Sequence, residues 1–291
     1  MDKLERLQLE LTAQKCRNNV IRMVKASGHG HIGGAFSAMD IVTALYFRIM
    51  NIRPEEPNME DRDRFLLSAG HKCMVQYAVL AEKGFFDKEV LDTYGQFKTK
   101  IPGHPDMYKL PGIEANTGAL GHGLSIGTGM ALGLRQDGKK SKVYVVMGDG
   151  ELAEGSNWEA AAAAAHHHVD NLVAIVDYNG LQISGDVKKV MNMTPIAEHF
   201  KAFGWEVKDI DGNNMDEIVQ ALETIPFTPG KPSLIVAHTV KCKGLSFGEN
   251  IASYHYWSPS EEELVRAEME MKEKTEKLEK EIKEVKKCLE N

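Results

Sequence analysis

Hydrophobic positions along the chain follow two spacings, and each spacing predicts a different kind of element. In residues 1–26, leucine, valine and methionine recur at helical spacing, which predicts an amphipathic helix. Residues 142–147 and 172–176 are nearly continuous apolar runs, typical of strands buried on both faces of a parallel sheet. The alanine-rich stretch at 156–168 predicts a helix between them, with Ser156 as its expected N-cap. This order predicts a right-handed βαβ unit.

The rest of the pattern extends this unit in both directions. Segments 27–34 and 98–121 are rich in glycine, histidine and proline and predict loops. Further strands are predicted at 64–68, 205–207 and 233–237, and further helices at 37–50, 73–83, 88–95, 124–134 and 215–224. In helix 124–134, three glycines (127, 129 and 133) predict close packing on a neighbour. We therefore predict an α/β fold, a doubly wound, mainly parallel sheet with helices on both faces, preceded by a helical portion.

The C-terminal segment differs in composition. From residue 261 to residue 291, 19 of 31 residues are charged. Leu264, Met271, Leu278 and Val285 recur every seven residues, and Ile282 and Leu289 follow the last two by four, which predicts a helix with one apolar stripe. We favour packing of this stripe on the domain or on a partner over a free coiled coil. The expected organisation is a domain at 1–260 and a charged helix at 261–291.

Composition and charge exclude several classes of protein. The 35 basic and 42 acidic side chains give a net charge of −7, which argues against a nucleic-acid-binding protein. No apolar stretch is long enough to span a bilayer, and the charged N-terminus does not resemble a signal peptide. Four widely spaced cysteines without a CxxC pair predict reduced thiols. We expect a cytoplasmic protein without a membrane partner.

Candidate chemistry follows the two buried strands. Asp149 lies in a Gly-Asp-Gly triplet directly after the first strand, and Asn179 follows the second. In an open parallel sheet, ligands bind beyond the carboxyl ends of the strands, so these side chains are expected to lie together. Glycines let the backbone approach a phosphate, and a carboxylate with an amide oxygen suits a hard cation such as Mg²⁺. The alternative is a structural turn with an asparagine cap.

Other histidine and glycine patterns give weaker indications of a functional site. His29 and His31 form an HxH pair, but no third metal ligand stands at a recognisable spacing. The three histidines at 166–168 occupy consecutive helical positions, which point about 100° apart and cannot converge on one ion. The glycines at 121, 123 and 127 do not form GxGxxG after a strand, which argues against a Rossmann dinucleotide site.

Five motifs resemble those of transketolase, a thiamine diphosphate-dependent enzyme family, and occur in that family's order. Three contain histidine: SGH at 27–29, DRDRFLLSAGH at 61–71 and PGHPD at 102–106. TGALGHG at 117–123 is similar to the family's cofactor loop, and GDGELAEGSNWE at 148–159 resembles its diphosphate segment. The resemblance runs from about residue 10 to residue 265 and implies the thiamine diphosphate-binding fold.

The resemblance also implies roles for individual residues. Asp149, Asn179 and the backbone carbonyl of Leu181 match the ligands of a divalent metal, Mg²⁺ or else Ca²⁺ or Mn²⁺. The residues that match contacts to thiamine diphosphate are His71, Gly118, Ala119, Leu120, Gly150, Asn179 and His255.

The histidines that match the family's catalytic contacts to the donor sugar are His29, His104 and His255. A ketose donor presents hydroxyls and a carbonyl, and neutral imidazole can donate or accept a hydrogen bond at each. The chain departs from the pattern at Tyr256, where long-chain relatives carry glycine, and at Cys242, where the family usually has a small residue.

Length is the larger departure, because transketolase is about twice as long and adds a pyrimidine-binding domain. A glutamate of that second domain activates the cofactor in the family, and residues 200–291 do not resemble it. The resemblance therefore implies the N-terminal subunit of a split transketolase, which moves a two-carbon ketol unit between sugar phosphates. A separate C-terminal subunit would complete it, in a heterotetramer with two copies of each chain.

Three other functions remain open from the sequence. One is another thiamine diphosphate enzyme, such as a 2-oxo acid dehydrogenase component, against which the histidines at 29, 71 and 104 argue. A second is a transketolase relative that acts on a different ketose or aldose. The third is a non-catalytic subunit that only binds the cofactor and serves as a scaffold.

Overall fold

A five-stranded parallel sheet forms the centre of the computed structural model, which describes residues 1–290. The strands are β1 (Arg64–Leu67), β2 (Val143–Gly148), β3 (Leu172–Tyr178), β6 (Glu206–Asp211) and β7 (Ser233–His238), in the spatial order β1-β2-β3-β7-β6. A separate two-stranded hairpin pairs β4 (Leu181–Gln182) with β5 (Gly185–Asp186). The predicted parallel α/β sheet, with β2 and β3 as neighbours, is confirmed.

Alternate residues of the central strands enter two separate cores, so both faces of the sheet are covered. Tyr144 and Val146 of β2 pack in the larger core, whereas Val143, Val145 and Met147 pack in the smaller one. All of these side chains are at most 1% exposed. This is why the strand sequence is nearly continuous in apolar residues instead of alternating with polar ones.

Ten helices surround the sheet within residues 1–290. They are α1 (Lys3–Ser27), α2 (Ile32–Ser37), α3 (Met39–Ala44), α4 (Met74–Lys83), α5 (His122–Gln136), α6 (Gly155–His166), α7 (Val187–Val190), α8 (Ile196–Phe203), α9 (Met215–Glu223) and α10 (Glu261–Leu289). Short 3-10 turns occur at Gly70–Lys72, Lys88–Thr93, Gly150–Ala153 and Ala252–His255, and Leu45–Ile49 is a π-helical turn.

Three local predictions were wrong. The loop predicted at 27–34 is shorter, because α2 already begins at Ile32. The single helix predicted at 37–50 is α3 followed by a π-helical turn. Ser156 is not the N-cap of α6: Glu154 occupies that position, and the Ser156 hydroxyl donates instead to the carbonyl of Gly121 at 2.9 Å. That tertiary bond joins the first turn of α6 to the residue that precedes α5.

The C-terminal helix α10 packs along α1. Met271 and Ile282 of the predicted stripe are buried, whereas Leu289 is 70% exposed. Polar contacts also join the two helices, since Asn18 donates to Thr275 at 3.1 Å and Lys25 pairs with Glu268 at 2.6 Å. The interpretation as a helix whose stripe packs on the domain agrees with these contacts.

The glycines of α5 are not equivalent. A Cβ atom on Gly127 would lie 2.5 Å from Cγ2 of Val145 on β2, so this glycine brings the helix close to the sheet as predicted. Gly129 and Gly133 have no atom within 4 Å of a Cβ position, so close packing was the wrong interpretation for them within residues 1–290.

This difference gives a matched pair of substitutions in one helix. We expect Gly127→Ala to destabilise the protein by about 1–3 kcal/mol through overpacking. Gly133→Ala is expected to stabilise it by about 0.5–1 kcal/mol, since alanine is the better helix former at an open position. Urea denaturation of both variants tests this, and equal effects of the two would contradict the packing described.

Candidate functional site

Three strand ends lie side by side at one edge of the sheet. Gly148 of β2 is in register with Asp177 of β3, and Asp177 with Ala237 of β7. The chain leaves β2 into Asp149 and β3 into Asn179, so the two side chains predicted to lie together do so. Both are buried, at 3% and 8% exposure.

Backbone amides that follow two neighbouring strands, β2 and β3, hold the carboxylate of Asp149. One carboxylate oxygen accepts from the amide of Gly150 at 2.8 Å, and the other accepts from the amide of Gly180 at 2.7 Å. Burial raises the pKa of Asp149 to about 6. The nearby Lys72 ammonium stabilises the charged carboxylate and so limits this rise. The carboxylate is thus oriented and costly to keep charged without a cation.

A buried lysine reaches the same loop from beyond β7. Lys241 is 1% exposed, and its Nζ donates to the carbonyl of Leu181 at 2.9 Å. The same atom lies 3.2 Å from Nδ1 of His255. Burial lowers the pKa of Lys241 to about 8, with Lys72 as a further cause. Lys241 therefore connects a predicted metal ligand with a predicted cofactor contact.

Beneath the strand ends lies a fully buried ion pair. Nζ of Lys72 is 2.6 Å from a carboxylate oxygen of Asp177, whose side chain is 0% exposed. Asp177 also accepts hydrogen bonds from Ser37 at 2.6 Å and Thr239 at 2.5 Å. Several partners of one carboxylate thus tie α2, the turn after β1 and the loop after β7 together.

A second buried carboxylate joins the loops on the other side of Asp149. Glu151 accepts from the hydroxyl of Ser68, from the amide of Gly121 at 2.8 Å and from the amide of Gly148 at 3.1 Å. Burial raises its pKa, and these hydrogen bonds oppose the shift. Glu151 therefore fixes the cofactor loop at 117–123 onto the end of β2.

Four histidines surround the opening above these charges. The His31 ring centroid is 5.3 Å from that of His71 and 5.5 Å from that of His255, and the rings of His71 and His255 are 5.1 Å apart. His29 stacks on Tyr256 at 5.4 Å. A fifth histidine, His104, packs against the backbone of the cofactor loop, where a Cβ on Gly118 would lie 2.6 Å from its ring.

Burial keeps three of these rings neutral. It lowers the pKa of His71 to about 2, of His255 to about 3 and of His31 to about 4, and neighbouring Lys72, Lys241 and histidines lower each further. A neutral imidazole offers one hydrogen-bond donor and one acceptor, which suits a hydroxylated ligand.

We expect the ¹⁵N signals of the His31, His71 and His255 rings to stay at neutral-imidazole positions from pH 8 down to pH 5. In urea the same residues should titrate near the ordinary value of about 6.5. The unfolded chain then binds protons that the folded chain does not, so stability falls as the pH drops below that value. A folded-state titration midpoint near 6.5 for these rings would contradict the burial described.

The strand ends and the histidines enclose a cavity of about 350 Å³. Seven predicted residues line it: His71, Leu120, Asp149, Gly150, Asn179, Leu181 and His255. Four do not: His29, His104, Gly118 and Ala119. His104 is exposed, and it adjoins the loop that carries Leu120.

The donor atoms present fit a divalent cation and a diphosphate. Asp149, Asn179 and the Leu181 carbonyl supply the hard oxygen atoms that Mg²⁺ prefers, while two lysines face the same cavity. Within residues 1–290, no group of three or more His, Cys, Asp or Glu side chains could hold a metal ion. The predicted ligand set differs from such a group, because it combines one carboxylate with an amide oxygen and a backbone carbonyl.

Sequence reasoning missed four buried or enclosed residues of the site: His31, Lys72, Glu151 and Lys241. The sequence pattern suggested a role for His31 only as one of the two histidines in a possible metal-binding HxH pair. Lys241 follows the third strand that ends at this edge, so the strand-end rule that found Asp149 and Asn179 could have found it too. Lys72 and Glu151 lie beside predicted residues but act through tertiary contacts that sequence spacing does not reveal.

A parallel sheet with these strand-end side chains and a histidine-lined cavity matches the thiamine diphosphate-binding fold. Residues 9–284 match the family model described as transketolase, thiamine diphosphate binding domain. The chain belongs to the transketolase family.

Two curated relatives are similar to this chain over almost their whole length. The chain is 46% identical to one of the subunits of apulose-4-phosphate transketolase from Phocaeicola vulgatus, covering 92% of this chain and 95% of that protein. It is 41% identical to the 6-deoxy-6-sulfo-D-fructose transketolase subunit SqwG of a Clostridium species, covering 89% and 94%. These relatives are thus transketolase subunits named for different sugars.

Solved structures agree with this placement. The chain matches the crystal structure of transketolase from Campylobacter jejuni with a TM-score of 0.85 and 32% identity, covering 93% of this chain and 43% of that one. It therefore spans less than half of that longer transketolase. Among residues 1–290, no helix has the length and apolar character needed to cross a membrane.

Proposed function

We propose that this chain is the N-terminal subunit of a two-subunit transketolase. With thiamine diphosphate and a divalent metal, it would transfer a two-carbon ketol unit from a ketose phosphate to an aldose phosphate. The observation that carries the proposal is the convergence of Asp149 and Asn179 with His71 and His255 on one cavity.

In this proposal the floor of the cavity holds the charged part of the cofactor. Asp149, Asn179 and the Leu181 carbonyl would bind Mg²⁺, and Ca²⁺ or Mn²⁺ could replace it. Gly150, His71, His255 and the loop residues Gly118, Ala119 and Leu120 would contact thiamine diphosphate. When bound, that cofactor supplies the carbanion equivalent and electron sink that C–C bond cleavage requires.

The chain's own residues bind and orient the sugar in this scheme. His29, His104 and His255 would hydrogen-bond the donor's hydroxyl and carbonyl oxygens, as catalytic contacts. The neutral ring of His255 suits this task, because it can donate one hydrogen bond and accept another. The low pKa of His255 keeps a lone pair available at neutral pH.

A partner protein is part of the proposal. The relatives named as transketolase subunits support it. Exposed apolar side chains support it as well: Ile183 at the cavity rim is 71% exposed, and Phe97 in the segment before His104 is 90% exposed. We propose a C-terminal, pyrimidine-binding subunit in a 2+2 heterotetramer.

Location and substrate follow the same reasoning. Cys16, Cys73 and Cys242 are buried free thiols, which supports a reducing, cytoplasmic compartment. The two relatives are named for different sugars, so this chain's donor is proposed only as a ketose phosphate or a close analogue. A scaffold without catalysis is disfavoured because Asp149, His71 and His255 line one cavity.

Coexpression with a candidate pyrimidine-domain subunit tests the proposal. We expect ketol transfer between sugar phosphates from the copurified pair, and no comparable turnover from either chain alone. Full turnover by this chain alone would overturn the two-subunit proposal. A folded, copurified pair that binds the cofactor but transfers nothing would favour the scaffold.

A further inference from the structure

The segment that carries His104 lacks regular secondary structure. Between the 3-10 turn Lys88–Thr93 and α5, residues 94–121 form no helix or strand. Within residues 1–290, no backbone-to-backbone hydrogen bond involves residues 100–105, and Pro102 and Pro105 have no N–H to donate. Because ordering such a segment costs conformational entropy, it keeps one conformation only where other groups hold it.

Two side chains of the core hold this segment through three consecutive carbonyl groups. The Tyr77 hydroxyl lies 2.9 Å from the carbonyl oxygen of Pro102 and 2.9 Å from that of His104, so its one proton is shared between them. The thiol of Cys73 donates to the carbonyl of Gly103, with Sγ 3.1 Å from the oxygen. We call Tyr77 and Cys73 the loop anchor.

The loop anchor is rigid because it belongs to the core. Cys73 is the N-cap of α4 and Tyr77 follows one turn later, which places the two side chains on the same face of this helix. Both are 0% exposed, and the Tyr77 ring packs on that of Tyr94 with the centroids 6.4 Å apart. Burial raises the pKa of Tyr77, so its hydroxyl stays protonated and available as a donor.

The anchored backbone sets where the His104 ring lies. A Cβ atom on Gly118 would be 2.6 Å from Cδ2 of that ring, so the imidazole rests on the backbone of the cofactor loop. Leu120, two residues further along this loop, lines the cavity. His104 is exposed, so core packing does not fix its ring, and the ring's position depends on the backbone that carries it.

Resting on the proposed function, we propose that Tyr77 is a positioning residue for donor binding, because it holds His104 where that imidazole meets the sugar. The resemblance to transketolase assigns a donor contact to His104 and no role to Tyr77. A loop that is ordered in advance loses less conformational entropy when its ligand binds. The loop anchor therefore strengthens donor binding without touching the donor.

A double-mutant cycle in the copurified pair tests this, with D-fructose 6-phosphate as donor and saturating thiamine diphosphate and Mg²⁺. His104→Ala removes one hydrogen bond to an uncharged group, so we expect it to lower kcat/KM for the donor by about 3- to 10-fold. Tyr77→Phe keeps the buried ring and should cause a loss of at least about threefold, but no larger than that of His104→Ala. In the double variant, Tyr77→Phe should add little to the loss, because the residue that Tyr77 positions is already absent.

A matched control and a second readout separate positioning from a general loss of packing. Tyr46→Phe removes the hydroxyl of another buried tyrosine, which packs on Phe65 of β1, and should leave kcat/KM unchanged. NMR of this chain needs no turnover. A nuclear Overhauser effect between the His104 ring and the α protons of Gly118 should be present in wild type and in Tyr46→Phe, and lost in Tyr77→Phe.

The outcomes distinguish the loop anchor from the general function. Loss of the Overhauser effect in Tyr77→Phe, together with non-additive losses of kcat/KM, supports the anchor. A retained Overhauser effect, an unchanged kcat/KM, or an equal loss with and without His104 overturns the anchor, while wild-type turnover leaves the proposed function intact. If the wild-type pair does not turn this donor over, the proposed function fails for it, and the Overhauser effect alone decides the anchor.

Discussion

Replacing Asp149 with asparagine is expected to lower turnover of the two-subunit enzyme by more than about 100-fold. Loss of an outer-shell partner of a metal ligand already costs about 10- to 100-fold, and Asp149 is the only carboxylate in the proposed ligand set. Initial rates at saturating sugar and cofactor measure the effect. Asp137→Asn, at an exposed position after α5, is the matched control and should retain full turnover.

The stability of Asp149→Asn should change little, although its turnover falls. Burial raises the pKa of Asp149 to about 6, so the ionised carboxylate opposes folding when no cation is bound. The neutral amide removes this cost but loses one hydrogen bond to a backbone amide, so the free energy of unfolding should stay within about 1 kcal/mol of wild type. A variant that both unfolds and loses turnover would mean that Asp149 is structural.

The second large effect concerns the ion pair below the cavity. We expect Lys72→Met to lower the free energy of unfolding by about 3–5 kcal/mol, because it leaves the Asp177 carboxylate buried without its charged partner. Urea denaturation measures the loss. Lys201→Met breaks an exposed pair with Glu198 and should shift the transition little.

A double variant makes this prediction sharper. In Lys72→Met with Asp177→Asn, neither member of the pair leaves an unpartnered charge, and Ser37 and Thr239 can still bond the amide. The double variant should therefore lose less than the sum of the two single losses. Additive losses would mean that Lys72 and Asp177 stabilise the fold independently.

The sheet could be predicted because its strands are buried on both faces. Residues 143–148 and 172–178 have few polar positions to break the apolar run, and the strand-end rule then placed Asp149 beside Asn179. Histidine and glycine motifs added the cofactor loop through family resemblance. Local signals of these two kinds identified seven of the residues that line the cavity.

The rest of the site depends on contacts between distant segments. Ser156 carries a cap residue's side chain, but its hydroxyl bonds Gly121 across the site. The loop predicted at 27–34 contains the start of α2, since Gly33 and Gly34 are buried against other elements and tolerate helical backbone. His31 acquires its position from the bridge between Gly30 and Trp257, which lie far apart in sequence.

Calorimetric titration of thiamine diphosphate with Mg²⁺ tests the central claim most directly. The titration is made into this chain with and without its C-terminal partner, and into Asp149→Ala. We predict weak binding to the chain alone, tighter binding with the partner, and none in the variant. Absence of heat in both wild-type conditions, with the protein shown to be folded, would contradict the cofactor site.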